Sequence, residues 1–544
     1  MKALLQNWVT EQAERHPESV AVVMGSERLT YGQLEKMSNQ LARLLKRAGC
    51  RKGDRVCFLM PKSVAVITSI IGILKAGCIH VPLDPASPPS RLRKILESCE
   101  TRWLIAAGPI LASVSKLLDE SLDARISVGW LEPQKPSTAN FRLEWCWDDV
   151  LLEEPTLPPQ QTSTTDAAHI LFTSGSTGIP KGVVITHSNV IHFVEWGLRH
   201  FGIDSSDRLS GFTPPHFDLS TFDVFGTFAA GAELQMLSHE AALSPLKLAE
   251  WIRSTELTQW FSVPSVLNYM AKFDAVRPND FPFLKRVLWC GEVLPTPALI
   301  YWMRRLPHVR FTNLYGPTET TIASSFYDVP ACPIDEKAPI PIGKACDGEE
   351  LLILDESLRP VIPGEVGDLY ISGVGLSPGY WRDAERTAAA FLPDPRHIQS
   401  NSRIYRSGDL ARRGTDGLVY FVGRGDTQIK SRGYRIELGE IEAALGCLPC
   451  LQESAVVAIE RGGFEGWLIC CAYALRPGSR SSPNSLRKDL EKHIPAYMIP
   501  MRWMAYSTLP KNANGKVARP KLKELFLRAE NRGRIDAACL VQNS

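Results

Sequence analysis

Between Leu171 and His187 the chain reads LFTSGSTGIPKGVVITH, with three glycines, two serines and three threonines set around Pro180 and the basic Lys181. Hydroxyls and backbone N–H groups donate to phosphate oxygens, glycine lets a backbone approach an anion, and lysine brings a mobile point charge. Phosphate handling is therefore the chemistry these residue types could perform. The common phosphate loop requires Gly-x-x-x-x-Gly-Lys-Ser/Thr. Here Pro180 stands where the second glycine should be, and Gly182 follows Lys181. The stretch is either a solvated turn or a phosphate cradle of another pattern.

Four further segments hold chemistry-bearing side chains among turn formers. TNLYGPTETT (Thr312 to Thr321) places an aromatic and a carboxylate close together, and YRSGDLARR (Tyr405 to Arg413) presents Asp409 after a glycine. GRGDTQIKSRGYRIELGEIE (Gly423 to Glu442) interleaves both charges with glycine, and LPKNANGKVARPKL (Leu509 to Leu522) places Lys516 after Gly515. Each alone reads as a charged surface turn; their joint order along one chain is hard to obtain by chance. PPHFDLSTFDVFGTF (Pro214 to Phe228) reads as a half-buried helix carrying Asp218 and Asp223, the latter structural. Cys447 and Cys450 form a lone CxxC interrupted by Pro449, a poor zinc or redox site without a second pair.

The elements that must position these residues follow from periodicity. Ala21–Met24, Arg55–Met60 and Cys78–Leu83 are strand-like, while Leu34 to Leu45 and Val64 to Leu74 follow helical spacing. This β-α-β-α-β order predicts a layered α/β fold with a largely parallel sheet. His169–Phe172 is a strand leading into the hydroxyl-rich run. Residues 133–165, rich in Pro, Ser and Thr, read as a surface connection. Strands return at Glu350–Leu354 and Asp368–Ser372. Beyond about Gly425 a helix at Ile441–Leu445, strands at Ala455–Ile459 and Trp467–Tyr473, and an amphipathic stretch at Leu486–Ile494 make a small α+β unit. The whole has 544 residues, 44% hydrophobic and 22% charged, with a net charge of +2, which favours neither a nucleic-acid nor an anionic-membrane partner. Neither a signal-peptide core nor a membrane-spanning run is expected, and 13 scattered cysteines suit a reducing, cytoplasmic setting.

From LTYGQL (Leu29 to Leu34), through LKAGCIHVPLDP (Leu74 to Pro85) and IPAYMIP (Ile494 to Pro500), to NGKVAR (Asn514 to Arg519), the chain resembles the adenylate-forming superfamily. That superfamily includes acyl-CoA synthetases, luciferases and adenylation domains of nonribosomal peptide synthesis. The resemblance implies a large multi-sheet layered N-terminal domain (1–425) and a small mobile α+β C-terminal domain (426–544) hinged at Asp426. It implies ATP and Mg²⁺. Thr173, Ser174, Gly175, Ser176, Thr177, Gly178 and Lys181 would handle the β,γ-phosphates, Thr173 also counting as catalytic. Tyr315 would lie against adenine, with Gly316 and Thr318 also at the nucleotide. Glu319 would hold the metal, Asp409 with Arg424 would bind the ribose hydroxyls, and Lys516 would reach the reacting groups. The chain departs from the family at Asp368, where Glu is frequent, at Ala518, where Asp is common, and at Ser431, usually apolar. None of these is assigned to chemistry.

In amino-acid-activating members the FDxS motif carries the aspartate that pairs with the substrate's α-ammonium group, here Asp218. By resemblance the rest of the pocket is Leu219, Phe222, Phe261, Leu288, Cys290, Leu314, Ile322 and Ala323, with Lys516 at the carboxylate. This apolar set resembles stand-alone L-prolyl-AMP ligases that load carrier proteins, which makes proline the first expectation and other small or branched apolar amino acids the next. Only 28 residues follow Lys516, short of a domain of ~50–200 residues, so the expected partner is a separate phosphopantetheinylated carrier protein. Three alternatives stay open: an acyl- or aryl-CoA synthetase, for which Asp218 has no use, a luciferase-like oxygenase, and a non-catalytic scaffold of the same fold.

Overall fold

The structure, a computed structural model, describes residues 4–118, 125–133, 141–175, 178–397, 401–461, 466–512 and 516–531. The chain divides into two compact units. One joins Met1–Pro85, Leu96–Phe172 and Gly182–Gly425; the other joins Ala86–Ile95, Thr173–Lys181 and Asp426–Ser544.

Most expected elements form with small shifts of boundary. The helix Tyr31–Arg47 begins at a full capping box, Thr30 accepting from the Gln33 N–H and Gln33 accepting from the Thr30 N–H, which satisfies two otherwise orphaned donors. Val64–Lys75 is apolar all round and buried along its length, as such a helix must be. Its last residue, Lys75, is wholly buried and donates to Glu35, Ser38 and Asn39 of the preceding helix. The LKAG motif is thus a structural lock.

The expected order of the first strands is met but not their common sheet. Val20–Met24 turns at Gly25 into an antiparallel hairpin with Glu27–Thr30 and pairs in parallel with Glu233–Met236. Arg55–Leu59 and Ile79–Leu83 pair in parallel with each other in a different sheet. Residues 133–165 are likewise more than a connection. Leu143–Cys146 is a strand and Trp147–Leu151 a short helix. Trp145 and Cys146 are buried, an apolar pair that the Pro- and Ser-rich surroundings mask.

Among the described residues the first unit is built on a nine-stranded and an eight-stranded sheet, both mainly parallel, and a five-stranded antiparallel one. In the nine-stranded sheet Arg208–Gly211, Gln259–Ser262, Arg286–Cys290 and Arg310–Tyr315 lie side by side in parallel. The two faces of these strands feed different cores. Trp260, Val287, Trp289 and Phe311 pack into one apolar cluster, while Phe261, Leu288, Cys290 and Leu314 pack into another. The second unit carries the helix Leu438–Gly446, the strands Leu451–Glu460, Trp467–Leu475 and Arg502–Ala505, and the helix Pro483–Leu490. That last helix stops four residues before the expected Ile494. Among the described residues no helix is long and apolar enough to cross a membrane, and the cysteines carry free thiols.

Candidate functional site

The eight apolar residues expected in the pocket all belong to one apolar cluster of the first unit. Leu219 and Phe222 come from the helix Leu219–Ala230, and Phe261, Leu288, Cys290 and Leu314 from neighbouring strands. Parallel register does the gathering: Phe261 pairs with Leu288, and Cys290 with Leu314. In-register partners point to the same face, and residues two apart on a strand share it. Ile322 and Ala323 complete the set from the loop after the last of these strands. The Cys290 thiol lies 3.7 Å from the Ile322 carbonyl. Phe222 meets Phe193 and Phe261 edge-on, at ring-centroid distances of 5.3 and 6.2 Å.

Asp218 stands at the N-cap of the helix Leu219–Ala230 and makes no capping bond. Its Oδ2 instead accepts from the Thr318 hydroxyl at 2.6 Å, across 100 residues of sequence. Asp223 departs from the half-buried reading, because it is buried to 1% exposure. Burial pushes its carboxyl well up, and the nearby Lys62 ammonium acts against that. Lys62 donates to the Gly211 and Phe212 carbonyls, and burial lowers it to about 8. Asp223 stays a structural residue, but a core one.

The segment that follows Leu314 is tightly folded. A Cβ on Gly316 would lie 2.5 Å from the Ala323 Cα, so only glycine fits there. A 3-10 turn, Thr318–Thr320, follows. Thr321 and Ile322 then both take positive φ, 64° and 70°. For β-branched residues this costs on the order of 1–3 kcal/mol each. Strong bracing holds it: Thr321 donates to the Gly375 carbonyl at 2.7 Å, and the Ser324 N–H to the Tyr315 carbonyl at 2.8 Å. Glu319 is fully buried, and the Tyr380 hydroxyl donates to its Oε1 at 2.8 Å. Tyr380 did not emerge from the sequence. Its one signal there is the Gly-Tyr-Trp run, whose Gly379 has φ 140°.

Tyr315, Asp409 and Arg424 form a second constellation in the same unit. Asp409 and Arg424 are partners on adjacent antiparallel strands. Tyr315 Oη donates to Asp409 Oδ2 at 2.5 Å, and Arg424 donates to Oδ1 at 2.7 Å. Burial, reinforced by the Asp409 charge, holds the Tyr315 phenol well above its ordinary range.

The hydroxyl-rich run belongs to the other unit. Thr173 ends the strand Ala167–Thr173, and Gly178 has φ 78°. The Ser174 hydroxyl donates to the Arg435 carbonyl at 2.6 Å, and the Gly175 N–H to Glu440 Oε2 at 3.3 Å. Glu440 in turn pairs with Arg91, both buried. A carboxylate oxygen therefore already sits on the loop's backbone donor. The Thr173 hydroxyl oxygen is buried without a hydrogen-bond partner, which suits a donor kept for a phosphate oxygen. Ser176 and Thr177 lie outside the described residues, and Lys181 opens the next strand, Lys181–Thr186. Lys516 is exposed, beside a bridge between Lys511 and Val517. Asp426 accepts from the Gln428 N–H at 3.0 Å.

Known proteins are similar to this chain in sequence and fold. Residues 9–381 match the family described as AMP-binding enzyme, and residues 440–516 match its C-terminal domain. An L-proline--[L-prolyl-carrier protein] ligase of Streptomyces coelicolor is 34% identical over 91% of both chains. Tyrocidine synthase 3 of Brevibacillus parabrevis is 32% identical over 94% of this chain, which spans only 8% of that protein's length. Among solved structures, the Vibrio cholerae adenylation domain AlmE, in complex with glycyl-adenosine-5'-phosphate, superposes with a TM-score of 0.84 at 24% identity, covering 97% of this chain and 98% of that one.

Proposed function

The chain is an AMP-binding enzyme of the adenylate-forming superfamily, an adenylating ligase of the kind found as adenylation domains in nonribosomal peptide synthesis, and on that premise we propose that it activates an apolar α-amino acid, L-proline first. One observation carries this reading. Asp218 adjoins a wholly apolar residue set and is held by a hydroxyl next to Glu319. A half-buried carboxylate beside apolar residues suits a cationic ligand group, and an α-ammonium group is one. The apolar set offers nothing to a polar side chain. The similarity to a proline ligase over 91% of both chains supports proline.

The substrate carboxylate attacks the α-phosphorus of ATP, the α–β phosphoanhydride bond breaks, and pyrophosphate leaves with the electron pair. Both reactants are anions, so catalysis rests on positioning and charge compensation. Lys516 lies between them in this reading. Thr173, Ser174, Gly175, Ser176, Thr177, Gly178 and Lys181 hold the β,γ-phosphates. Asp409, its carboxylate fixed by Tyr315 and Arg424, takes the ribose hydroxyls, and the Tyr315 ring adjoins adenine. Glu319 suits Mg²⁺, being a buried oxygen donor oriented by Tyr380. Bound there, the metal would neutralise phosphate charge. No general base is needed, because a carboxylic acid is already ionised at neutral pH.

A turn of the small domain about Asp426 then admits the phosphopantetheine thiol of a separate carrier protein. Its sulfur attacks the acyl carbon, and AMP leaves. The test is ATP–pyrophosphate exchange with all twenty amino acids and a panel of fatty and aryl acids. Exchange dominated by proline supports the full reading. Another apolar amino acid keeps the mechanism and discards the pocket assignment. Exchange only with acids lacking an amine overturns amino-acid activation in favour of a CoA ligase.

A further inference from the structure

The geometry points to Thr318 as the residue that positions Asp218 for the substrate's ammonium group, an inference that rests on the amino-acid reading above. A carboxylate at a helix start has two uses for its oxygens: capping its own helix, or facing a ligand. Asp218 does not cap. Its Oδ2 is taken instead by the Thr318 hydroxyl at 2.6 Å. An ionised carboxylate has about four acceptor positions; the Thr318 hydroxyl takes one of them and so helps to fix the carboxylate's orientation.

Both ends of this bond stand on rigid backbone, as orientation demands. On the Asp218 side, the Ser220 hydroxyl donates to the Phe217 carbonyl at 2.7 Å. The Thr318–Thr320 turn is closed by the Thr320 N–H on the Pro317 carbonyl and the Thr321 N–H on the Thr318 carbonyl. The Ser324 hydroxyl donates to Thr320 Oγ1 at 2.7 Å. Thr318 also directly precedes Glu319, so the support of the amine site and the buried carboxylate are consecutive residues of one turn. By resemblance Thr318 goes to the nucleotide; its hydroxyl bond here goes to the amino-acid carboxylate.

The two assignments separate experimentally. The probes are the aminoacyl-sulfamoyl adenosine of the amino acid the wild type activates, and the same compound without its amine. Thr318→Val is expected to weaken the amine-bearing compound about tenfold, the usual scale for a lost charge-assisted hydrogen bond, and the amine-free one less than about twofold. In exchange assays the KM for the amino acid should rise about tenfold while that for ATP stays within about twofold. Thr318→Ser should restore both. Thr318→Ala replaces the valine variant if the latter does not fold. Equal weakening of both compounds, a rise confined to the KM for ATP, or no change would overturn the proposal. A wild type that binds both compounds equally would instead reject Asp218 as an amine site, and with it the amino-acid reading. A wild type that prefers the amine, with variants unchanged, rejects Thr318 alone.

Discussion

At the scale of single residues, the site is a set of charges whose partners are already chosen. Asp409 has both oxygens engaged, by Tyr315 and Arg424, and Asp218 is oriented from Thr318. Asp218→Ala should therefore abolish amino-acid-dependent exchange, with the KM for the amino acid rising at least about a hundredfold, because truncating one partner of an ion pair leaves the other desolvated and unpaired. Steady-state kinetics against the amino acid and its amine-free analogue check this; equal loss for both would contradict it. Lys516→Ala belongs to the same scale. Its charge compensates a repulsion that peaks in the transition state, so kcat should fall about 10²–10³-fold, while equilibrium binding of ATP changes little. The types of these residues, and the motifs holding them, were legible in the sequence. The Thr318–Asp218 and Tyr380–Glu319 bonds were not, since hydrogen bonds across 100 and 61 residues leave no local spacing to read.

At the scale of elements, the helices His187–Phe201 and Leu219–Ala230 meet in part where a side chain is missing. Phe222 on the helix Leu219–Ala230, proposed above as a pocket wall, packs against Gly197 of the helix His187–Phe201. A Cβ on Gly197 would lie 2.6 Å from the Phe222 ring. Gly197→Ala should push that ring out of place, cost about 1–3 kcal/mol of stability as over-packing does, and change the ranking of amino acids in exchange assays. Unfolding curves and the exchange panel read the two effects; an unchanged ranking would mean that Phe222 does not line the pocket. The helical periodicity of both segments is local. The closeness of Gly197 to Phe222 arises only when the two helices pack. The strand Leu143–Cys146 escaped notice for a related reason: two buried residues within a Pro- and Ser-rich stretch are too short a pattern to outweigh their surroundings.

At the scale of the whole molecule, the core holds titratable groups that the proposed chemistry does not use. His80, His169 and His187 are buried, and the first two rings lie 5.1 Å apart. Burial is the leading cause that depresses all three. His169 falls from 6.5 to about 3, His187 falls to about 4, and His80 goes well below its ordinary value. The unfolded chain then binds more protons than the folded one between pH 6.5 and about 3, so stability rises with pH across that window. It should be full above pH 6.5 and decline below it, by about 2 kcal/mol for each fully depressed histidine at pH 5. Urea unfolding at pH 7 and pH 5 checks the sign, and His169→Gln should flatten the slope. The residue types within the motifs, the types of most elements and the apolar character of the expected pocket set are legible in the sequence alone, because backbone preference and short periodicity are written in neighbouring residues. Only the tertiary structure decided that the first strands enter two different sheets, and that parallel register lines up Phe261, Leu288, Cys290 and Leu314 on one face. It also decided that a threonine from one turn hydrogen-bonds an aspartate at the start of a distant helix. Those arrangements depend on strand register and on burial shared by the whole core, which no local stretch of residues carries.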